Sequence, residues 1–247
     1  MFDFLDQVTP VTLGENPLAQ VVAQVKFSAQ STLNSPQGAS LFHDLVSEQY
    51  PRRLGEQQQT VIAGPGGLTT TATPQWRLTD LNGRWACVVG PEQLALETSM
   101  YTDWSEMRGR ILTVLGALTE VTKVRVRERI GLRYVNHILP DDSGSFVDRI
   151  SNDLLGRAVN PTWRQSLSAA LAQTVFSDGV ARLVIRAGTG EGIVEPVSTF
   201  ILDIDCFDEQ PQEYDPESTI DRFDEFNDVA YRCFCSCVPE EFRTTMK

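Results

Sequence analysis

The sequence lacks several common catalytic and cofactor-binding motifs. It contains only two histidines, His43 and His137. The P-loop pattern GxxxxGK[ST], the nucleophile-elbow pattern GxSxG, the zinc-protease pattern HExxH and a GxGxxG turn after a strand are all missing. Gly188–Gly192 is rich in glycine but has no lysine and no following helix, so we expect a turn there and no phosphate-binding loop. No cofactor is therefore predicted.

The chain also lacks a long apolar run and a basic N-terminal segment. No stretch approaches the roughly 20 apolar residues of a membrane-spanning helix. The first ten residues, MFDFLDQVTP, contain two Asp and neither Lys nor Arg, which is unlike a secretory signal. We therefore expect a cytoplasmic protein with no membrane partner. The apolar fraction of 41% in 247 residues is enough to bury a substantial core.

The cysteines predict neither disulfides nor a zinc site. There are five of them, and an odd number without a secretory signal favours reduced thiols. On a helix, Cys233 and Cys237 share a face while Cys235 points away. No CxxC pair and no nearby histidine completes a zinc site. The preferred interpretation is apolar packing beside Phe234.

Charge is abundant but unevenly distributed. The 33 acidic residues exceed the 21 basic ones, giving a net charge of −12 that disfavours non-specific binding to phosphate backbones. Between Asp203 and Asp228 the only basic residue is Arg222, whereas basic residues crowd the segment from Lys123 to Arg133. The two strips either neutralise each other or recruit separate partners.

Apolar periodicity predicts an α+β protein. The expected strands are Leu18–Phe27, Gln75–Thr79, Arg84–Val89, Gln93–Thr98, Val124–Ile138, Ser166–Phe176, Val180–Ala187 and Ser198–Phe207. The expected helices are Ala39–Tyr50, Trp104–Leu118 after an Asp103 cap, Phe146–Leu155 and Ser218–Cys235. Asn82–Gly83 and Ser177–Gly179 are expected to be hairpin turns, and Pro65–Gly67 a loop.

The order of hairpin, alternating strand and capped helix occurs twice along the chain. This predicts two similar halves, each a meandering antiparallel sheet with a long amphipathic helix packed on one face. The turn at Pro140–Gly144 places the boundary between residues 1–140 and residues 141–247, the second unit being a duplicate packed closely on the first. One continuous α+β domain is the alternative.

One segment, Arg129–Asn136, reads RIGLRYVN. Together with Leu96–Thr98, Tyr101, Trp104 and Leu202–Asp205, it resembles a family of uncharacterised, sporadically distributed prokaryotic proteins of similar length. The resemblance extends from about Leu18 to the C-terminus and implies one whole-chain unit. It brings no activity and no catalytic residues with it. A patchy distribution is typical of mobile and defence-associated genes, which implies a setting of that kind.

As a strand, this segment and the residues before it place arginines on one face and apolar side chains on the other. The candidate anion- or partner-binding residues are Arg125, Arg127, Arg129, Arg133 and Asn136. The preferred interpretation is that Glu97, Asp203 and Asp205 lie on adjacent strands and neutralise these arginines. An anion pocket for a nucleotide or a nucleic-acid phosphate is the alternative, with Gly131 leaving a gap for the ligand.

Three readings of the function remain open at this point. The first is a non-catalytic binding or regulatory protein, a partner or neutraliser in a prokaryotic defence or toxin–antitoxin system. Its acidic helix would meet a basic protein partner through Asp221, Asp224, Glu225 and Asp228.

The second class is a metal-dependent enzyme or sensor acting on nucleotides or nucleic acid. It would use Glu97, Asp203 and Asp205 as metal ligands and Arg129 and Arg133 as phosphate clamps. A homodimer built on exposed apolar residues of the long helices, with Trp104 and Phe223 as candidates, is a third reading.

Overall fold

A computed structural model describes residues 1–9, 14, 16–64, 67–156, 169–190 and 199–246. Over these residues the chain is α+β, with ten strands in an antiparallel sheet and five α-helices, so the predicted fold class is confirmed. The predicted duplication into two similar halves is not confirmed and stays a prediction. Two residues of the predicted loop, Pro65–Gly66, and residues 191–198 lie outside the described residues.

The described strands and helices are numbered here in chain order. The strands are β1 (Leu18–Phe27), β2 (Arg52–Gly64), β3 (Gly67–Thr79), β4 (Trp85–Gly90), β5 (Gln93–Thr98), β6 (Val126–Ile138), β7 (Ala169–Asp178), β8 (Ala181–Gly190), β9 (Phe200–Asp208) and β10 (Gln212–Glu213). The helices are α1 (Pro36–Val46), α2 (Trp104–Val121), α3 (Asn152–Leu155), α4 (Pro216–Cys237) and α5 (Glu240–Thr245). None of these described helices is long and apolar enough to cross a membrane.

The strand order in the sheet is β2-β3-β4-β5-β1-β6-β9-β8-β7, and the short β10 pairs with β6. The chain divides into two compact units. The β2–β5 unit comprises residues 22–131 and 209–223, and the β7–β9 unit comprises residues 1–21, 132–208 and 224–247. Each unit thus contains consecutive strands that pair antiparallel with one another.

Helix α2 contributes buried side chains to the core of the β2–β5 unit. On α2 these side chains recur at helical spacing: Met107, Ile111, Leu115 and Leu118. Asp103 caps the helix as predicted, because its Oδ1 accepts a hydrogen bond from the backbone N–H of Glu106 at 2.9 Å. The predicted Asn82–Gly83 turn joins β3 to β4, with Gly83 at a φ of 68°.

The core of the β7–β9 unit is built from one face of β9 and one stripe of α4. On β9 the buried residues on this face alternate along the strand: Phe200, Leu202, Ile204 and Cys206. On α4 they recur at helical spacing: Phe226, Val229, Ala230, Cys233 and Cys237. Cys233 and Cys237 are buried and Cys235 is half-buried, as predicted for a helix, and all five cysteines are free thiols.

Three helix predictions need correction. The helix expected over Ala39–Tyr50 is α1, Pro36–Val46, which Ser35 caps at its start. The helix expected over Phe146–Leu155 is wrong except for its last turn, α3. Instead of bonding within its own segment, Ser151 N–H donates to the carbonyl of Cys237 at 2.8 Å, and this tertiary bond interrupts the helix. Helix α4 begins at Pro216 and not at Ser218, because Asp215 Oδ2 accepts from Ser218 N–H at 2.7 Å and acts as the cap.

Strand β2 was missed altogether. It pairs with β3 along its whole length, from Arg52 opposite Thr79 to Gly64 opposite Gly67. Its first half, RRLGEQQ, shows no alternation of apolar and polar residues. In the described part of the chain β2 is the last strand on its side of the sheet, and its pairing with β3, not a side-chain pattern, defines it.

Candidate functional site

Strand β6 carries the arginine row in the predicted alternation. Ile130, Leu132 and Tyr134 are buried on one face, and Arg127, Arg129 and Arg133 come from the alternate positions. Arg125 precedes the strand, and its side chain is exposed.

In the β7–β9 unit, Arg133 meets Asp203 in a bidentate ion pair. Arg133 Nε donates to Asp203 Oδ1 at 2.7 Å, and Nη2 donates to Oδ2 at 2.8 Å. Arg186 of β8 donates to the same Oδ2 through Nη1 at 3.0 Å. Gln173 of β7 completes the arrangement, because its Oε1 accepts from Arg186 Nε at 3.0 Å. These four residues are called the Arg133 cluster below.

The Arg133 cluster has a buried centre and an exposed rim. The Asp203 side chain is only 5% exposed, whereas Arg133 and Arg186 are 46% and 32% exposed. The hydrogen bonds that Arg133 donates to Asp203 raise the pKa of the Arg133 guanidinium, although burial opposes this. Asp205 lies 3.8 Å from Arg186 Nη1. The predicted pairing of the β6 arginines with Asp203 is therefore present for Arg133.

In the β2–β5 unit, the Arg129 guanidinium folds back over Gly131. A Cβ at Gly131 would lie only 2.8 Å from Arg129 Nη1. The gap that the sequence suggested for a ligand is thus filled by the neighbouring arginine. Arg129 Nη1 also donates to Gln24 Oε1 at 2.9 Å, and its Nε lies 3.8 Å from Glu209 Oε1.

A chain of side-chain amides continues from Arg129 across the β2–β5 unit. Gln24 Nε2 donates to Gln93 Oε1 at 3.1 Å, and Gln93 Nε2 donates to Gln75 Oε1 at 3.1 Å. Gln75 Nε2 then donates to Glu56 Oε2 at 3.3 Å. Every bond runs in the same direction, from a guanidinium to a carboxylate, so the amide dipoles are aligned. This chain is called the glutamine relay below.

Glu97 belongs to an ion-pair network that shares Glu56 with the end of the relay. Arg77 of β3 donates through Nη1 to Glu97 Oε2 at 3.1 Å and through Nε to Glu56 Oε1 at 2.9 Å. Burial lowers the pKa of Arg77, but the two carboxylates, chiefly Glu97, more than offset that and raise it. Arg77 therefore neutralises Glu97, a role that was not predicted.

The predicted metal ligands are thus placed in two different networks. Glu97 pairs with Arg77, and Asp203 pairs with Arg133 and Arg186. Across the described residues, no group of three or more His, Cys, Asp and Glu side chains is arranged to hold a metal ion. The phosphate clamps proposed with them, Arg129 and Arg133, bind Gln24 and Asp203.

The remaining residues of the predicted anion site are buried in the protein. Arg127 is 3% exposed and donates through Nη2 to Gln212 Oε1 of β10 at 2.5 Å. Asn136 is 2% exposed and lies on the opposite face from the arginines, where its Nδ2 donates to the Leu202 carbonyl at 3.0 Å. Both side chains stabilise strand pairing.

The predicted acidic partner face lies along helix α4. Asp221, Glu225 and Asp228 are exposed at successive spacings of four and three residues, and Asp224 beside them is half-buried. They define the acidic face of α4. Asp228 Oδ2 lies 3.0 Å from Nε of Arg232, one turn further along the helix.

Arg232 ties the start of the chain to α4 within the β7–β9 unit. It is 4% exposed and donates to the carbonyls of Met1 at 2.9 Å and Leu5 at 3.2 Å. Phe2 and Leu5 are buried beside it. Asp228 is thus the link between a surface carboxylate row and a buried guanidinium.

Sequence reasoning named Asp203 as a partner of the β6 arginines but missed the other members of these networks. Arg186, Gln173 and Arg77 stand at polar positions of strands whose pairing the sequence does not reveal. The glutamines of the relay carry no charge and were not singled out. Polar residues at every second position of several strands were the only available signal.

Comparison with known proteins adds no family to this description. No protein-family model matches the chain, and no curated protein matches it in sequence.

Proposed function

We propose that this protein is a binding or regulatory protein that recognises a basic protein partner through the acidic face of α4. The observation that carries the proposal is the exposed row of Asp221, Glu225 and Asp228 on one side of a 22-residue helix. Carboxylates arranged in this way attract a basic surface and steer its approach.

The packing of α4 supports the proposal because it holds the carboxylates in fixed positions. The opposite side of the helix is buried through Ile220, Phe223 and Phe226. A packed helix presents its outer side chains at fixed spacings, which lowers the entropy lost when a partner binds. The burial of Phe223 also leaves it little area for a helix-mediated homodimer.

The hydrogen bonds of the β6 arginines also support the proposal, because they argue against an anionic ligand. Arg133 is bound by Asp203, and Arg129 donates to Gln24. An anionic ligand would have to displace these side chains before it could use either guanidinium. With a net charge of −12, the chain is better suited to a cationic partner than to a phosphate backbone.

The biological setting follows from the resemblance of the RIGLRYVN segment. A sporadically distributed prokaryotic family suggests that the partner is encoded close to this gene, as in defence or toxin–antitoxin pairs. The proposed role is to bind and neutralise that partner, or to sense it.

The experiment compares two neutralised variants with equal loss of charge. Asp221→Asn with Glu225→Gln removes two carboxylates from the acidic face. Glu48→Gln with Glu120→Gln removes two exposed carboxylates elsewhere and is the control. Each tagged chain is co-expressed with the products of the neighbouring genes, and captured protein is quantified at low and high salt.

We expect wild type and control to capture one partner in stoichiometric amount, and the acidic-face variant to capture roughly tenfold less. High salt should weaken the wild-type complex and reduce this difference. Equal capture by both variants, or no stoichiometric partner for the wild type, would contradict the proposal.

A further inference from the structure

Strand β7 ends the strand order on its side of the sheet, as far as the structure describes the chain. It pairs with β8 along its whole length, from Ala169 opposite Gly190 to Asp178 opposite Ala181. Eight of its ten residues are exposed. An edge strand of this length presents a row of outward N–H and C=O groups that can pair with another strand.

The sequence of β7 lacks the features that usually keep such an edge from pairing. It reads AALAQTVFSD, with no lysine, no proline and no charge before Asp178. The register with β8 runs without interruption, so no bulge twists the edge away. Two large apolar side chains on it are exposed, Leu171 at 75% and Val175 at 49%.

The pattern of β7 is complementary to itself. If two β7 strands pair antiparallel around a twofold axis at Gln173, Leu171 of each copy lies opposite Val175 of the other. Ala172 then lies opposite Thr174, and Gln173 lies opposite Gln173. Each exposed apolar side chain gains an apolar partner, and no charged residue between Ala169 and Ser177 opposes the contact.

We infer that the protein forms a homodimer in which the β7 edges of two copies pair antiparallel around Gln173. The self-complementary pattern of β7 favours a second copy as the occupant, and the lack of charge on the strand permits it. The chain carries a net charge of −12, so two copies repel each other over most of their surface, and an uncharged strand is where this repulsion is smallest. The inference is independent of the acidic face of α4.

Gln173 fits the axis for a further reason. Its Oε1 accepts from Arg186 Nε at 3.0 Å, which fixes the side chain within its own copy. The amide nitrogen has two donors of its own, and across the axis it can reach the amide oxygen of the second Gln173. The Arg133 cluster would thus extend into the interface through its outermost member.

The first experiment measures the mass of the purified full chain by sedimentation velocity over a range of concentrations. We expect a species of twice the 27.5 kDa chain mass. Gln173→Glu should raise the dimer dissociation constant roughly tenfold, because it places two carboxylates opposite each other at the axis. Within one copy the new carboxylate keeps its contact with Arg186, so the fold is preserved.

Gln20→Glu, on an exposed position of β1, is the matched control and should leave the dimer unchanged. A wild-type chain that stays monomeric at every concentration would overturn the inference. So would a dimer that Gln173→Glu does not weaken, since that dimer must use another surface.

The second experiment tests the register by cross-linking. In a Cys235→Ser background the remaining native cysteines are buried. Gln173→Cys should form an intermolecular disulfide rapidly with copper phenanthroline as the oxidant. Ser177→Cys should not, because the two positions would lie about 27 Å apart along the paired strands. Faster cross-linking at position 177 than at position 173 would overturn the proposed register.

Discussion

Arg133 and Asp203 face each other across β6 and β9 and share two hydrogen bonds, of 2.7 and 2.8 Å. The carboxylate is almost fully buried, and a second guanidinium, that of Arg186, bonds to the same oxygen that accepts from Arg133 Nη2. Asp203 is thus a buried anion held between two cations, a geometry in which every charge has a partner. Its side chain thus links β9 to Arg133 of β6 on one side and to Arg186 of β8 on the other.

The first prediction concerns removal of this anion. Asp203→Asn leaves Arg133 and Arg186 without their shared carboxylate and should lower the free energy of unfolding by about 2 kcal/mol, measured by urea denaturation. The cost is moderate because both guanidiniums remain partly solvated. Asp205→Asn on the same strand is the control for the loss of one carboxylate from β9, since Asp205 makes no bidentate pair with Arg133.

A double-mutant cycle separates the interaction energy of the Arg133–Asp203 pair from the effects of changing either residue alone. Arg133→Met combined with Asp203→Asn should cost clearly less than the sum of the two single changes, because each single change leaves a partner unsatisfied. Strictly additive costs would show that the bidentate geometry contributes nothing to stability.

The local features of the sequence predicted much of the fold. The bounds of β1 and β5 match the structure, and so do the Asp103 cap and the alternation of arginines along β6. Each of these depends on residues within a few positions of one another, where periodicity and capping chemistry decide the outcome.

Apart from the pairing of Arg133 with Asp203, the partners of the charged residues could not be predicted in the same way. Arg186 is 53 residues from Arg133 along the chain, and the two meet only because β8 and β6 both flank β9. Glu97 was expected to neutralise the β6 arginines and instead binds Arg77. Strand order decides which charges meet, and one sequence carries little information about strand order.

The second prediction compares two glycines in strands. At Gly188 an added Cβ would lie 1.9 Å from the carbonyl oxygen of Ala170, which is backbone and cannot move alone. Gly188→Ala should therefore cost about 3 kcal/mol or prevent folding. At Gly131 the obstacle is the flexible end of Arg129, so Gly131→Ala should cost about 1 kcal/mol or less.

Gly109→Ala is the reference for this comparison. It lies inside α2 with no atom within 4 Å of the added Cβ, so alanine should stabilise the protein by up to about 1 kcal/mol. Thermal unfolding of the three variants ranks their stabilities, with Gly109→Ala expected highest and Gly188→Ala lowest. A Gly131→Ala variant as damaged as Gly188→Ala would show that Arg129 cannot leave its position over the glycine.

The third prediction concerns divalent metal. We expect no saturable heat when Mg²⁺ or Mn²⁺ is titrated into the protein, because Glu97 and Asp203 are already bound by arginines. Arginine displacement would have to precede metal binding, at a cost comparable to breaking the ion pairs. Binding of one ion per chain that is lost in Asp203→Asn would restore the metal-dependent enzyme as a hypothesis.

The fourth prediction concerns the alkaline limit of stability. Burial raises the pKa of Tyr50 to about 12 from an ordinary value of 10.0, while the neighbouring Arg110 partly opposes this rise. Unfolding therefore lets Tyr50 lose its proton between about pH 10 and pH 12. The stability that Tyr50 contributes is complete below pH 10 and falls as the pH rises through that window, by roughly 2–3 kcal/mol at its upper end.

Tyr50→Phe isolates this contribution, because phenylalanine has no proton to release. The free energy of unfolding is measured in urea at pH 9 and pH 11.5 for the wild type, for Tyr50→Phe and for Tyr101→Phe, a half-buried tyrosine that serves as control. Wild type and control should lose stability between the two pH values more steeply than Tyr50→Phe. Equal slopes for all three proteins would mean that Tyr50 ionises in the folded chain as readily as in the unfolded one.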